Sequence, residues 1–168
     1  MIAQYNEITG DVTKARENES GNILIPHVCN NLGKYGAGVA LAIRNKWLPA
    51  YTSYLNHLES LRDKGMVPSE FLGETDSVFV EDDVLVVNMI AQHRTISAVN
   101  PRPLKYDALV DCMRKIARMH RICLPDERFK ICCPKFGSAL AGGNWDFIKL
   151  LIEDIWLSAG IDVTVYNY

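Results

Sequence analysis

The chain has 168 residues and 18.9 kDa, with 48% apolar, 23% charged and 9% aromatic residues. This composition excludes disordered and fibrous classes and suits one globular domain over residues 1–168. Eighteen Lys and Arg against twenty Asp and Glu leave a formal net charge of −2, which argues against strong nucleic-acid binding as the protein's main task. The five cysteines are odd in number and lack CxxC spacing, so they read as reduced thiols of a cytoplasmic protein with no metal framework. The longest apolar run, residues 84–91, is too short to enter a membrane.

In chain order, the hydrophobic period switches repeatedly between two and about three and a half, the signature of an α/β domain. Residues 23–28 alternate as a strand that ends in the polar, Gly-rich stretch 30–38. A helix is expected over 37–47 and a second over 51–61, divided at Pro49 and stopped at Gly65. Residues 77–80 and 84–88 flank an acidic turn and read as a hairpin, its second strand apolar enough to be central although Asn88 interrupts it. Beyond Pro101 and Pro103, the face carrying Tyr106, Leu109, Met113 and Ile116 predicts a helix, with Arg114 and Arg118 opposite. A buried strand over 129–133 leads into a second Gly-rich loop, 137–143, with Asn144 where an N-cap belongs. Ile148, Leu151, Ile152, Ile155 and Trp156 form the apolar face of a last helix ending at Gly160, and a final strand follows at 161–166.

The two strand-loop-helix units are the informative features. A loop of small residues at a helix start exposes several backbone N–H groups toward one anion. Neither loop has the Gly-Lys-Ser/Thr of a Walker sequence, and neither has GxGxxG spacing. Each is a tight connection or half of a phosphate cradle, and two together at strand ends favour a diphosphate held between them.

These residues resemble the macro domain, a family that binds ADP-ribose and related nucleotides. The resemblance covers almost the whole chain: Thr9-Gly10-Asp11 is similar to the opening TGD signature, and His27-Val28-Cys29-Asn30-Asn31 to the Asn-containing strand end. Gly36-Ala37-Gly38-Val39-Ala40 matches the Gly-Ala-Gly loop, and residues 134–145 match the P-x-I-G-S-G-L-A-G-G-x-W loop. Within the family the pattern looks most like ADP-ribose 1''-phosphate phosphatases and terminal ADP-ribose glycohydrolases. The implied fold is a three-layer α/β/α macro domain around a mixed sheet of about six strands.

By the same resemblance, Asp11 accepts the adenine amino group, flanked by Gly10 and Val12, and Tyr168 or Tyr166 stacks on the base. Asn30, with Asn31, takes the distal ribose hydroxyls. The diphosphate lies on Gly36, Ala37, Gly38 and Val39 from the first loop and on Phe136, Gly137, Ser138, Ala139, Leu140, Ala141 and Gly142 from the second, where Ser138 alternatively caps its own turn. Asn30 and His27 are the implied catalytic residues; His27 is either a proton donor or a structural hydrogen-bonded residue, and His93 is a second candidate. Lys34 and Lys46 are solvated or attract the diphosphate. Three departures stand out: Gln92 and Ala141 occupy the glycohydrolase Lys and Asp positions, Ala40 replaces the Asp of another hydrolase branch, and Ala139 replaces a loop Gly. The implied activity is hydrolysis of ADP-ribose 1''-phosphate. The alternatives are a non-catalytic binder of ADP-ribose-type nucleotides, or an enzyme that removes ADP-ribose from modified macromolecules. No cofactor is implied, and the expected partner is ADP-ribose or its 1''-phosphate, alone or on an ADP-ribosylated macromolecule.

Overall fold

A computed structural model describes residues 2–168. Six strands, β1 (Tyr5–Thr9), β2 (Asn22–Asn30), β3 (Thr75–Glu81), β4 (Val84–Gln92), β5 (Phe129–Pro134) and β6 (Val163–Asn167), form one sheet in the order β1-β6-β5-β2-β4-β3. Every pair is parallel except β3–β4, the hairpin that the acidic turn predicts. Helices α1 (Ala15–Asn18), α2 (Gly38–Lys46), α3 (Leu48–Asp63), α4 (Tyr106–Ile122) and α5 (Trp145–Leu151) supply the other layers.

Strand alternation divides the core in two. Leu24, Val87, Met89, Ile131 and Val165 face α4 and α5, while Ile23, Ile25, Val86, Ile90 and Cys132 face α1, α2 and α3. This is the three-layer α/β/α arrangement with a mixed six-stranded sheet. Local details differ from expectation. Pro49 does not divide two helices but sits in the first turn of α3, where its missing N–H costs nothing, and the break falls at Trp47. The last helix is regular only to Leu151; residues Ile152–Leu157 widen into a π segment, with the Ser158 N–H donating to Glu153 O. There the buried Trp156 indole donates to Met113 O at 3.0 Å, fastening this segment to α4.

Because the five mutually parallel strands end at one edge, the loops after β2, β4 and β5 converge there. Between β2 and β5 the sheet opens. Their pairing covers only Asn22–Leu24 against Phe129–Ile131. Ile23 donates to Asp83 O on the β4 side, so odd-numbered N–H groups of β2 face β4 and even-numbered ones face β5. Pro26 therefore removes the donor that the next rung toward β5 would need. The two strands separate at that point, and the crevice between them holds the site described below.

Glycines complete this edge. Gly142 has φ +73°, and a Cβ there would stand 2.6 Å from Pro101 O; at Gly143 it would stand 2.4 Å from Leu104 Cδ2 and 2.5 Å from Gly137 O. Both are demanded by close packing of the loop that precedes α4, rather than by a ligand. At Gly36, by contrast, a Cβ meets nothing within 4 Å. Gly143→Ala is expected to cost about 1–3 kcal/mol in chemical denaturation, the usual scale of overpacking against atoms that cannot all move. Gly36→Ala should show no loss; equal destabilisation by the two would contradict this packing account.

Candidate ligand-binding site

The crevice deepens into a cleft of about 520 Å³, lined by the end of β2, the first Gly-rich loop, Gln92 at the end of β4, Thr95, Ile96 and the second Gly-rich loop. A register shift between β2 and β4, where Asn30 pairs with Gln92 directly after Cys29 pairs with Ile90, turns both side chains toward this edge.

Asn30 builds the first loop. Its Oδ1 accepts from Leu32 N (2.9 Å) and Lys34 N (3.2 Å), and its Nδ2 donates to Lys34 O (2.7 Å). The buried Tyr54 hydroxyl accepts from Gly33 N at 3.0 Å and donates to Asn30 O. The loop is thus set before it reaches Gly36, Ala37 and Gly38, which line the cleft with Val39 and Ala40 at the start of α2. No side chain caps this helix, so its first N–H groups remain available to an anion.

The second loop works differently. Its helix, α5, is capped by Asn144, whose Oδ1 accepts from Phe147 N at 3.1 Å, as the sequence predicts. The available donors lie in the loop itself. The N–H groups of Gly137, Ala139, Leu140 and Ala141 make no hydrogen bond to the described residues, whereas Gly142 N donates to Ala139 O and Gly143 N to Gly137 O. Gly137, Ala139, Leu140 and Ala141 line the cleft beside Phe136. Ser138 does not; its hydroxyl donates to Lys135 O at 2.6 Å and caps its own turn. Leu140 Cδ1 reaches to 3.9 Å from where a Gly38 Cβ would stand, so the two loops meet across the mouth.

Other expected residues fall elsewhere. Asn31 is fully buried with its amide turned away from the cleft: Nδ2 donates to Pro68 O (2.9 Å) and contacts His93 Nδ1 (3.1 Å), and Oδ1 accepts from Arg94 N (2.8 Å). Its expected ligand contact is thereby corrected to a clamp that holds Arg94 at φ 59° and fixes the loop after β4. His93 is part of that clamp and does not line the cleft. Lys46 donates to Thr13 O and ties α2 to the turn after β1. Asp11 caps that turn, with Oδ1 accepting from Thr13 N (2.9 Å) and Thr13 Oγ1 (2.7 Å). Gly10 N donates to Asn167 O, which brings Gly10, Asp11 and the buried Val12 beside the end of β6 and the fully exposed Tyr168. Gly142 is packed under Pro101, and Tyr166 is a core residue.

His27 lies at the floor of the cleft in a network that includes two residues to which the sequence reading gives no role, Tyr35 and Asn88. Asn88 Nδ2 donates to Ala50 O (3.1 Å) and Asp76 Oδ2 (3.0 Å), which orients its Oδ1 toward His27 Nε2 (2.6 Å) and the Tyr35 hydroxyl (2.7 Å). That amide orientation assigns the imidazole proton to Nε2. Burial lowers the His27 pKa to about 4, and burial likewise pushes Cys29 and Tyr35 upward, away from ionisation. At neutral pH His27, Cys29 and Tyr35 are uncharged. His27 is therefore a neutral structural residue, which corrects the expectation of a proton donor: its one N–H is committed, and placing a second proton there means burying a charge. The signal for Asn88 is visible in the sequence as the polar residue inside an apolar central strand; Tyr35 carries none.

Among the described residues no group of three or more His, Cys, Asp and Glu side chains is arranged to hold a metal ion. Among the same residues no helix is long and apolar enough to cross a membrane.

The His27 geometry predicts an acid sensitivity. The unfolded imidazole takes up its proton near pH 6.5 and the folded one only near 4, so between these values the unfolded state binds more protons. Stability present above about pH 6.5 is lost as the pH falls toward 4, by about 3 kcal/mol from this residue. Denaturation of a His27→Gln variant should show a flatter profile over that window; an unchanged slope would refute the assignment.

No family model matches the sequence. The chain is 28% identical to an Aspergillus clavatus protein named ADP-ribose 1''-phosphate phosphatase, over 98% of this chain and 94% of the relative. It superposes on an Oceanobacillus iheyensis macrodomain variant solved with ADPR at a TM-score of 0.65, with 16% identity over 96% of this chain and 83% of that one. A macrodomain protein from Streptomyces coelicolor is 31% identical, with a TM-score of 0.77 over 98% of this chain and 99% of that one. With two loops of unpartnered amides meeting over a crevice in a six-stranded mixed sheet, and a likeness that runs the length of both chains, this chain belongs to the macrodomain family.

Proposed function

We propose that the cleft binds ADP-ribose or a derivative and that the protein hydrolyses ADP-ribose 1''-phosphate to ADP-ribose. The observation that carries this reading is the pair of amide sets, one at the uncapped start of α2 and one at residues 137–141, facing one crevice from two sides. Such donors are preorganised for a diphosphate and need no basic excess, in keeping with a net charge of −2. The relative named as a phosphatase supports the substrate, and the neighbour solved with ADPR supports the ligand. In this reading Asp11 takes the adenine amino group through the oxygen that its turn leaves free, and Tyr168 stacks on the base. Asn30 keeps the loop closed and offers its second Nδ2 proton to a ribose hydroxyl. Water attacks the terminal phosphorus, the bond from phosphorus to the 1''-oxygen breaks, and the amides stabilise the charge gathering on the phosphoryl oxygens. The leaving oxygen takes its proton from solvent water, since His27 is neutral and enclosed.

A second reading, a binder without turnover, is favoured by one feature: Gln92 and Ala141 line the cleft, and neither supplies a nucleophile or an acid. The two readings part in one experiment. Calorimetric titration with ADP-ribose should show binding, and incubation with ADP-ribose 1''-phosphate should release phosphate, more slowly in Asn30→Ala. Binding without phosphate release leaves the binder; no binding at millimolar ADP-ribose defeats both. Asp11→Ala is expected to weaken ADP-ribose by about 1–3 kcal/mol, the scale of a lost charged hydrogen bond. Gly36→Ala, which keeps its fold, should weaken it by projecting a methyl group into the cleft.

A further inference from the structure

A separate cleft of about 730 Å³ lies at the opposite end of the sheet, between the second half of α4, the turn before β5 and the end of the π segment. The helix begins beside the first site, where Lys105 N donates to Ala91 O, and its 17 residues carry the chain roughly 25 Å away. Four of the chain's nine arginines line this cleft: Arg114, Arg118, Arg121 and Arg128. Arg114, Arg118 and Arg121 follow the i, i+4, i+7 spacing of one helix face and extend over roughly 10 Å. All four are exposed. None has a carboxylate within ion-pair distance among the described residues, the recorded pairs involving Arg16, Lys115, Lys130 and Lys149. Asp154 is the one acidic residue of the lining. His120 stands edge-on to Phe129 at 5.2 Å, and burial and the nearby Arg128 lower its pKa.

We infer that this cleft docks the phosphodiester backbone of a single nucleic-acid strand. A nucleic-acid strand presents a regular row of phosphates, so a stripe of roughly 10 Å faces more than one of them, which a single small anion does not fill. Guanidinium forks pair phosphates bidentately. The apolar part of the lining, Ala117, Ile155 and Ala159, is small and aliphatic and offers no aromatic platform for a base, so recognition is of the backbone and independent of sequence. Whole-chain charge hides this patch, whose lining holds four arginines and one aspartate in a chain of net charge −2. The docking site is independent of the proposed hydrolysis.

Fluorescence anisotropy of a labelled oligo-dT strand of about 12 nucleotides, at about 50 mM salt, tests it. Binding should be saturable and should weaken with salt at a log–log slope of about −2 to −3, as three or four neutralised phosphates require. Arg118→Glu with Arg121→Glu should weaken it at least about tenfold while the thermal midpoint holds, and Arg118→Lys with Arg121→Lys should retain most of the salt slope. Unlabelled ADP-ribose should leave the anisotropy unchanged. Four results would each overturn the inference: no binding at low salt, undiminished binding by the Glu variant, displacement by ADP-ribose, or equal displacement by tripolyphosphate or poly-glutamate at matched charge.

Discussion

One missing N–H shapes this protein. Pro26 stands in a strand that is otherwise central, flanked by β5 on one side and β4 on the other. Toward β4 the ladder continues to the strand's end, because the N–H groups on that side belong to other residues. Toward β5 it stops at Leu24. The cost of an interrupted sheet is offset by a crevice whose walls are strand ends, where loop amides can be held rigidly and still face a guest. The same crevice would close if β2 paired with β5 along its full length.

Around that opening, polar side chains act chiefly on the protein itself. Asn30 and Tyr54 shape the first loop, Asn31 fixes the loop after β4, and Asn88 unites His27, Tyr35, Ala50 and Asp76 beneath the cleft floor. Asn31 and Asn88 have their donors and acceptor engaged, and Asn30 its acceptor and one Nδ2 proton, which meets the condition for keeping such groups in a core. The result is a hydrogen-bonded floor with an uncharged imidazole, lying under two sets of backbone donors. Recognition of an anion by such a surface rests on geometry more than on charge, which reconciles an acidic chain with a phosphate-bearing ligand.

The fold was legible where side-chain periodicity reports burial directly. The hairpin at β3 and β4, the amphipathic face of α4, the Asn144 cap and the Gly-rich loops all follow from local residue patterns, and each occupies its expected place to within a few residues. The site was legible in outline for the same reason: glycines and small residues at strand ends announce exposed backbone. The errors fell on polar residues in strands and loops. Asn30 and Asn31 are neighbours with the same chemistry, yet Asn30 ends β2 and lines the cleft, while Asn31, just past the strand, turns away and clamps the loop after β4. His27 leaves two readings open in the sequence, a proton donor or a structural hydrogen-bonded residue, and its burial with Asn88 decides for the second.

By itself, then, the sequence determined the α/β alternation, the two anion-ready loops and the family resemblance, because each depends on neighbours within a few residues along the chain. Tertiary structure alone decided which of the four terminal amides of Asn30, Asn31, Asn88 and Asn144 lines the cleft, clamps a loop, meets a buried imidazole or caps a helix. It also gathered Arg114, Arg118, Arg121 and Arg128 into one cleft despite a near-neutral chain. Those outcomes depend on strand register and on helix packing across the sheet, which bring together residues tens of positions apart and set the burial on which their protonation and hydrogen bonding depend.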